Sequence, residues 1–327
     1  MIIDQLKASN LKGRSGSGFP TGAKWEAVLN AVNRNTDKKC YVICNGAEGE
    51  PAVFKDKYIL EHWPEEVVNG IKIAIETFKP QKAYIYLHRP YYDKFKSKLK
   101  KIIDKSPIIL FAEPGGYLCG EETTLIESIE GNRFEPRLRP PFPTERGLFG
   151  VPTLVNNLET FYWISKIAKG EYKNSRFYSV SGDVANPGVF EFPENWSIGQ
   201  VLQASKNSPD FDCFVQVGGG ASGSFFTRDE LGEPMGNSSS IVVYDRRKIK
   251  VRDLMKKIVG FFYEENCGKC VPCREGVNRL RELLEDDEPN ILLMREVLES
   301  MQESSFCPLG KGTAWAAGSL LEKIGIN

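Results

Sequence analysis

Over residues 1–175, short apolar runs alternate with longer stretches whose apolar positions recur at helical spacing. CYVIC (40–44), KAYIYL (82–87) and PIILFA (107–112) have the length and the β-branched and aromatic content of buried strands. Between the first two, KYILEHWPEEVVNGIKIAIETF predicts helix with one break at Pro64, because proline lacks the amide hydrogen an interior turn needs. Strand and helix in alternation predict an α/β layer on a largely parallel sheet.

The pattern then changes twice. From about residue 176 to 248, short runs (FYSVSG, GVFEFP, CFVQVGGG, SSIVVYD) are bounded by Gly, Pro, Asn and Ser, as in a compact, mainly β domain. Its one helix candidate is WSIGQVLQAS, with Ser197 placed to cap the amino end. Beyond residue 248, Leu254, Met255, Ile258, Phe261 and Phe262 repeat at helical spacing. REGVNRLRELLED, ILLMREVLESMQES and GTAWAAGSLLEKIG follow, so residues 249–327 read as a four-helix bundle.

Composition narrows the chemistry. Lys plus Arg and Asp plus Glu both total 43 in 327 residues, so no basic excess points to nucleic acid or to an anionic membrane surface. No stretch approaches the roughly 20 apolar residues that span a bilayer. The start, MIIDQLKASNLKGRSG, lacks a secretory pattern, so the expected location is the cytoplasm, with membrane association only through partners. Two histidines, His62 and His88, exclude multi-histidine metal sites and leave little room for a Ser-His-Asp triad.

Cysteine spacing is the most specific signal. Cys267, Cys270 and Cys273 form C-x-x-C-x-x-C, and Cys307 follows in SFCPLG. Three thiolates on one tight loop hold three corners of an iron-sulfur cube, and a distant cysteine supplies the fourth. Structural zinc is the alternative, but it normally draws on two C-x-x-C pairs rather than three plus one. Pro272 and Pro308 are expected to keep both ligand loops out of helix. Cys40, Cys44, Cys119 and Cys213 read as small buried residues.

GRSGSGFPTGAKW (13–25) concentrates glycines with Arg14 and Lys24, which lets backbone approach a phosphate and adds fixed positive charge. No strand precedes it and no G-K-[ST] closes it, so it is neither a Rossmann fingerprint nor a P-loop. Phe19 and Trp25 suit a ligand both anionic and flat. Asn45, Glu48 and Glu50 follow the first strand; Tyr117, Glu121 and Glu122 follow the third; VNNLET adds Asn156 and Asn157. Each cluster alone reads as a solvated turn, but three at successive strand ends predict a shared cleft.

GRSGSGFPTGAKW, CNGAEGEPAVFKD, GYLCGEETTLIESIEG, RPPFP, VPTLVNNLET and CGKCVPCREG together resemble the flavin-bearing, NADH-binding subunit of respiratory complex I and its relatives in NAD-linked hydrogenases and formate dehydrogenases. The resemblance implies an FMN-binding α/β domain (1–175), a β-grasp, ubiquitin-like domain (176–248) and a four-helix bundle carrying a 4Fe-4S cluster (249–327) on Cys267, Cys270, Cys273 and Cys307. It places the FMN phosphate on the loop of Gly13, Arg14, Gly16 and Lys24. Asn45, Tyr117, Gly120, Glu121, Asn156, Asn157 and Thr160 match positions lining the flavin. NADH is implied to stack there, its adenine between Phe19 and Phe142, its ribose on Glu122, with Arg139 toward phosphate or ribose. Glu48 and Glu50 are the implied catalytic carboxylates, Glu50 orienting the nicotinamide end.

The implied activity is hydride transfer from NADH to FMN and release of single electrons through the cluster. Implied partners are a thioredoxin-like 2Fe-2S subunit and further iron-sulfur or terminal oxidoreductase subunits, with ferredoxin a further candidate. Three positions depart from the family pattern: Ala47 in place of aspartate, Arg139 in place of lysine, and Ala27 in place of an aromatic. They motivate two alternatives, an electron relay with a degenerate nucleotide site and an NADPH-specific enzyme.

Overall fold

In the computed structural model, which describes residues 1–325, the chain divides into two compact units, residues 1–49 with 54–175, and residues 50–53 with 176–327.

The first unit opens with α1 (Ile2–Ala8) and α2 (Thr21–Arg34). Thr21, Trp25, Val28 and Val32 recur every three or four residues along α2 and form its buried face. Then come β1 (Tyr41–Gly46), α3 (Lys55–His62), α4 (Pro64–Phe78), β2 (Lys82–Leu87), α5 (Arg89–Ile103), β3 (Ile108–Ala112), α6 (Glu122–Glu130), α7 (Pro143–Arg146), β4 (Thr153–Asn157) and α8 (Leu158–Ala168). Pro64 does divide α3 from α4, and it sits in the first turn of α4, where its missing amide hydrogen costs nothing.

The four strands are parallel in the order β3-β2-β1-β4. Val42, Ile43 and Cys44 are fully buried, as expected of a parallel strand covered on both faces. Helices α4 and α8 pack so closely that a Cβ on Gly70 would stand 2.0 Å from the Phe161 carbonyl oxygen, a crossing only glycine admits. The strand order fixes where a ligand goes. The chain builds outward from β1 to β3, then returns to lay β4 on the other side of β1. That reversal opens a crevice beyond the carboxyl ends of β1 and β4, where Asn45 lies opposite Asn157.

The second unit contains β5 (Ser175–Gly182), β6 (Gly188–Pro193), α9 (Ile198–Ala204), β7 (Cys213–Val217), β8 (Ser224–Thr227) and β9 (Ser240–Asp245). The sheet order is β6-β5-β9-β7-β8; β5 and β9 run parallel, and β7 is antiparallel to both its neighbours. Ile198, Val201 and Leu202 of α9 pack on Val215, Val217, Ile241 and Val243 of one sheet face, a β-grasp arrangement. Ser197 caps α9 in a reciprocal capping box with Gln200.

Four helices complete this unit: α10 (Val251–Glu265), α11 (Val271–Glu285), α12 (Ile291–Ser304) and α13 (Pro308–Lys323). Here the expectation about the prolines is corrected. Pro272 and Pro308 lie in the first turns of α11 and α13, so they start helices instead of excluding them, and Cys273 is itself helical. The reason is local: proline's fixed φ suits a first turn, whose amide hydrogens have no intrahelical acceptor. No helix among the described residues is long and apolar enough to cross a membrane.

Candidate functional site

At the crevice of the first unit, the loops after β1, β3 and β4 are stitched together. Asn45 Nδ2 donates to the Gly120 carbonyl at 2.8 Å, and Asn45 Oδ1 accepts from the Ala47 amide at 3.1 Å. A Cβ on Gly120 would meet the Ala47 carbonyl at 2.9 Å, and one on Gly49 would meet Tyr117 Cα at 3.3 Å, so these loops approach through glycine. Asn157 caps α8 by accepting from the Glu159 amide and donates to Asp56 Oδ2 at 2.7 Å. Asn156 Oδ1 accepts from Trp25 Nε1 at 3.0 Å. Glu121 caps α6, its Oε2 accepting from the amides and hydroxyls of Thr123 and Thr124.

The glycine-rich loop closes on itself: Gly13 N–H donates to the Phe19 carbonyl at 2.9 Å and Thr21 N–H to Leu11 at 2.8 Å. Gly16 has φ +91°, open to glycine and costly for other residues. The loop delivers the chain to the amino end of α2, whose first turn carries no carboxylate, so its dipole is available to an anion. The buried Thr21 hydroxyl has no hydrogen-bond partner among the described residues. An orphaned donor at a glycine-cradled helix end fits a bound phosphate.

Lys24 Nζ donates to Glu122 Oε1 at 2.8 Å and to the Val155 carbonyl at 3.1 Å. Arg139 faces Glu121 at 3.6 Å and Glu122 at 3.7 Å. Phe19 and Phe142 are 50% and 51% exposed, leaving ring faces free for a flat ligand.

Arg14 is placed differently from a phosphate ligand. Its side chain is buried, donating to Tyr172 Oη at 2.9 Å and the Ser175 carbonyl at 3.1 Å and lying 3.9 Å from Glu159; its amide donates to Thr160 Oγ1 at 3.1 Å. Arg14 opens a buried charge network that sequence reading missed. Lys55 Nζ lies 2.5 Å from Asp56 Oδ1, 3.2 Å from Glu159 Oε2 and 3.3 Å from Asn157 Oδ1. Burial opposes the Lys55 charge, but Asp56, Glu159 and Glu48 outweigh it and leave its pKa raised. Burial likewise raises the Asp56 carboxyl, with Lys55 and the Asn157 amide working the other way.

Glu48 borders this network. It accepts from the Asp56 amide at 2.9 Å, the Lys57 amide at 3.2 Å and Tyr91 Oη at 3.0 Å. Burial first, then the Asp56 charge, push its pKa up to about 7. His88, whose ring meets Tyr91 edge-on, bonds the buried Glu113 carboxylate, which raises the imidazole pKa.

Glu50 belongs to the second unit, where Oε1 accepts from the Ala221 and Ser222 amides and Oε2 from Ser222 Oγ, all at 2.9 Å. The holding loop, residues 218–223, was visible in sequence only as the glycine end of CFVQVGGG.

In the bundle, Cys270 is the N-cap of α11 and Cys307 the N-cap of α13, and neither helix has an acidic residue in its first turn. Two helix amino ends therefore each begin at a cysteine, where a helix dipole favours negative charge. Cys273 is pushed up to about 12, by burial first and then by Cys270, Cys307 and Cys267, so all four sulfurs lie within electrostatic reach. A 4Fe-4S cluster held by these four cysteines would supply positive charge that offsets that cost. Among the described residues, no three His, Cys, Asp or Glu side chains converge as ligands of a single ion. A Cβ on Gly310 would stand 3.2 Å from Cys273 Cβ and 2.3 Å from Ser305 Oγ, a buried hydroxyl without a partner among the described residues. A small, polar cradle beside the sulfurs fits a cluster. Cys40, Cys44, Cys119 and Cys213 are buried cysteines outside any disulfide.

Two family models match the chain: the Nuo51 FMN-binding domain over residues 6–166, and the NADH-ubiquinone oxidoreductase-F iron-sulfur binding region over residues 253–325. An F-type NADH-quinone oxidoreductase subunit of Rhizobium meliloti is 31% identical, covering 98% of this chain and 86% of its own. The NADP-reducing hydrogenase subunit HndC of Solidesulfovibrio fructosivorans is 31% identical over 95% of this chain and 71% of its own. Among solved structures, an NAD+-reducing [NiFe]-hydrogenase in the H2-reduced state superposes with a TM-score of 0.88 at 29% identity over 98% of this chain, which spans 60% of that hydrogenase chain.

Proposed function

The chain belongs to the family of F-type NADH-quinone oxidoreductase subunits, and on that footing we propose that it is the NADH-oxidising flavoprotein subunit of a multi-subunit oxidoreductase. The carrying observation is the crevice at the carboxyl ends of β1 and β4, where Asn45 bonds Gly120 and lies opposite Asn157, and Asn156 bonds Trp25 of the helix whose unspent dipole ends the glycine loop. When bound, FMN accepts a two-electron hydride and gives up electrons singly, and a 4Fe-4S cluster relays single electrons.

The chain's own residues hold these groups. The backbone of residues 13–20, with Lys24 and the Thr21 hydroxyl, takes the phosphate; Asn45, Tyr117, Gly120, Glu121, Asn156, Asn157 and Thr160 line the ring system. Arg14 works from behind, its guanidinium anchoring the loop while its amide fixes Thr160. Phe19 and Phe142 sandwich the adenine, Glu122 receives the ribose, and Glu50 meets the nicotinamide end. Cys267, Cys270, Cys273 and Cys307 ligate the cluster. Residues 1–175 thus serve flavin and nucleotide, 176–248 carry the Glu50-holding loop, and 249–327 carry the cluster. A thioredoxin-like 2Fe-2S subunit is the proposed immediate partner, and the cytoplasm the proposed location.

A second reading, NADPH as donor, has one observation in its favour. Lys24 and Arg139 both pair with Glu122, and a carboxylate neutralised by two cations repels a 2′-phosphate less. Turnover of FMN-loaded protein with ferricyanide separates the two. The lead reading expects NADH to support turnover well above NADPH. Flavin-loaded protein that turns over with neither removes it.

A further inference from the structure

The Glu50 carboxylate is held by more donors than an ordinary surface glutamate finds, and all of them come from one loop between β7 and β8. The Ala221 and Ser222 amides both point at Oε1, at 2.9 Å each, and Ser222 Oγ donates to Oε2 at 2.9 Å. The main chain joins in: Gly220 N–H donates to the Pro51 carbonyl at 2.7 Å. Gly218 and Gly219 have φ of +113° and +131°, and a Cβ on Gly219 would stand 2.2 Å from Glu50 Oε1. The loop is thus glycine where the backbone must turn left-handed and where the carboxylate must come close.

An ionised carboxylate offers about four lone-pair sites. Three are taken, two on Oε1 and one on Oε2, which leaves a single acceptor position on Oε2. Glu50 is half-buried, so that position is not sealed off. The loop in turn is braced by the bundle: Ser222 Cβ is 3.4 Å from where a Cβ on Gly312 of α13 would stand, and α13 begins directly after Cys307.

We infer that Ser222 is a positioning residue for nucleotide oxidation: with the Ala221 amide it locks the Glu50 carboxylate so that its one remaining lone pair is presented to the nicotinamide carboxamide. This rests on the reading that Glu50 meets the nicotinamide end. Without the hydroxyl, Oε2 loses the one donor it has among the described residues, and the carboxyl group is free to rotate about the Oε1 contacts. Binding of the nucleotide is then weakened, while electron acceptance, which Ser222 does not touch, proceeds at its former rate. Threonine keeps the hydroxyl and restores the lock.

The test compares Ser222→Ala, Ser222→Thr, Glu50→Gln and the Ser222→Ala/Glu50→Gln pair in FMN-loaded protein of full chain, with flavin content, iron content and melting temperature measured alongside. Loss of one charge-assisted hydrogen bond predicts a roughly tenfold rise in KM and in the NAD+ dissociation constant for Ser222→Ala, with kcat within about twofold. Ser222→Thr is expected to stay near the parent, and the pair to be no worse than Glu50→Gln alone. If Glu50→Gln raises KM but Ser222→Ala leaves it unchanged, the inference fails and the reading of Glu50 stands. If neither changes KM, the reading of Glu50 falls and the inference with it. A Ser222→Ala protein that loses flavin or melts early, with threonine giving no rescue, also overturns it.

Discussion

Replacing Lys55 with methionine probes the network beneath the crevice. Lys55 is 4% exposed, Asp56 2% and Glu159 fully buried, and one ammonium group serves both carboxylates, at 2.5 Å and 3.2 Å. Methionine nearly conserves volume, so packing changes little, but it takes the ammonium from Asp56 and Glu159, which stay buried beside Asn157, Trp163 and the more distant Arg14. Removing one partner of a buried pair costs about 3–5 kcal/mol, because the charge left behind has no water to return to. The loss is expected in urea unfolding followed by tryptophan fluorescence, since Trp25, Trp63 and Trp163 all lie in the first unit. Adding Asp56→Asn removes one stranded charge and is predicted to recover about 1–2 kcal/mol. A Lys55→Met cost under about 1 kcal/mol, or a double variant no more stable than the single, would refute the reasoning that this lysine neutralises the carboxylates.

Other consequences follow from the same geometry. Glu48, raised to about 7 from an ordinary 4.5, holds a proton in the folded chain that the unfolded chain releases, so its contribution makes stability fall as pH rises from about 4.5 to 7. Glu48→Gln should flatten that part of the melting-temperature profile; an unchanged slope would contradict the assignment. Gly70→Ala forces a methyl to within 2.0 Å of the Phe161 carbonyl and is expected to cost about 2–3 kcal/mol, measured by denaturant midpoint, by pushing α4 off α8. Cys307→Ala should lower iron from roughly four per chain while FMN content is retained, and full iron in the variant would exclude Cys307 as a ligand.

Much of the fold was legible because the strands of the first unit are near-continuous apolar runs, a pattern that parallel sheets buried on both faces require. Lys82–Leu87 was read residue for residue, and the Pro64 break fell where proline chemistry puts it. Two things were not legible. Strand β8, Ser224–Thr227, is too short to announce itself, and α1 has only Ile3 and Leu6 as buried positions. Helices α11 and α13 begin earlier than expected because the prolines after Cys270 and Cys307 act as first-turn residues.

The crevice was anticipated from Asn, Glu and Gly clusters at strand ends, which are local signals. The support under it is not local. Arg14 and Glu159, or Lys55 and Asn157, are brought together across more than a hundred residues, and each charge alone reads as a solvated surface group. Glu50 shows the same limit: the motif named it, but the Ala221 and Ser222 donors lie 171 and 172 residues away.

The central claim is that this subunit oxidises NADH at a bound flavin, and anaerobic titration of the FMN-loaded, cluster-containing protein tests it directly. About one equivalent of NADH per flavin is predicted to bleach the flavin absorbance, with NADPH far less effective. Flavin and iron in place, with the absorbance unmoved by NADH, would contradict the account.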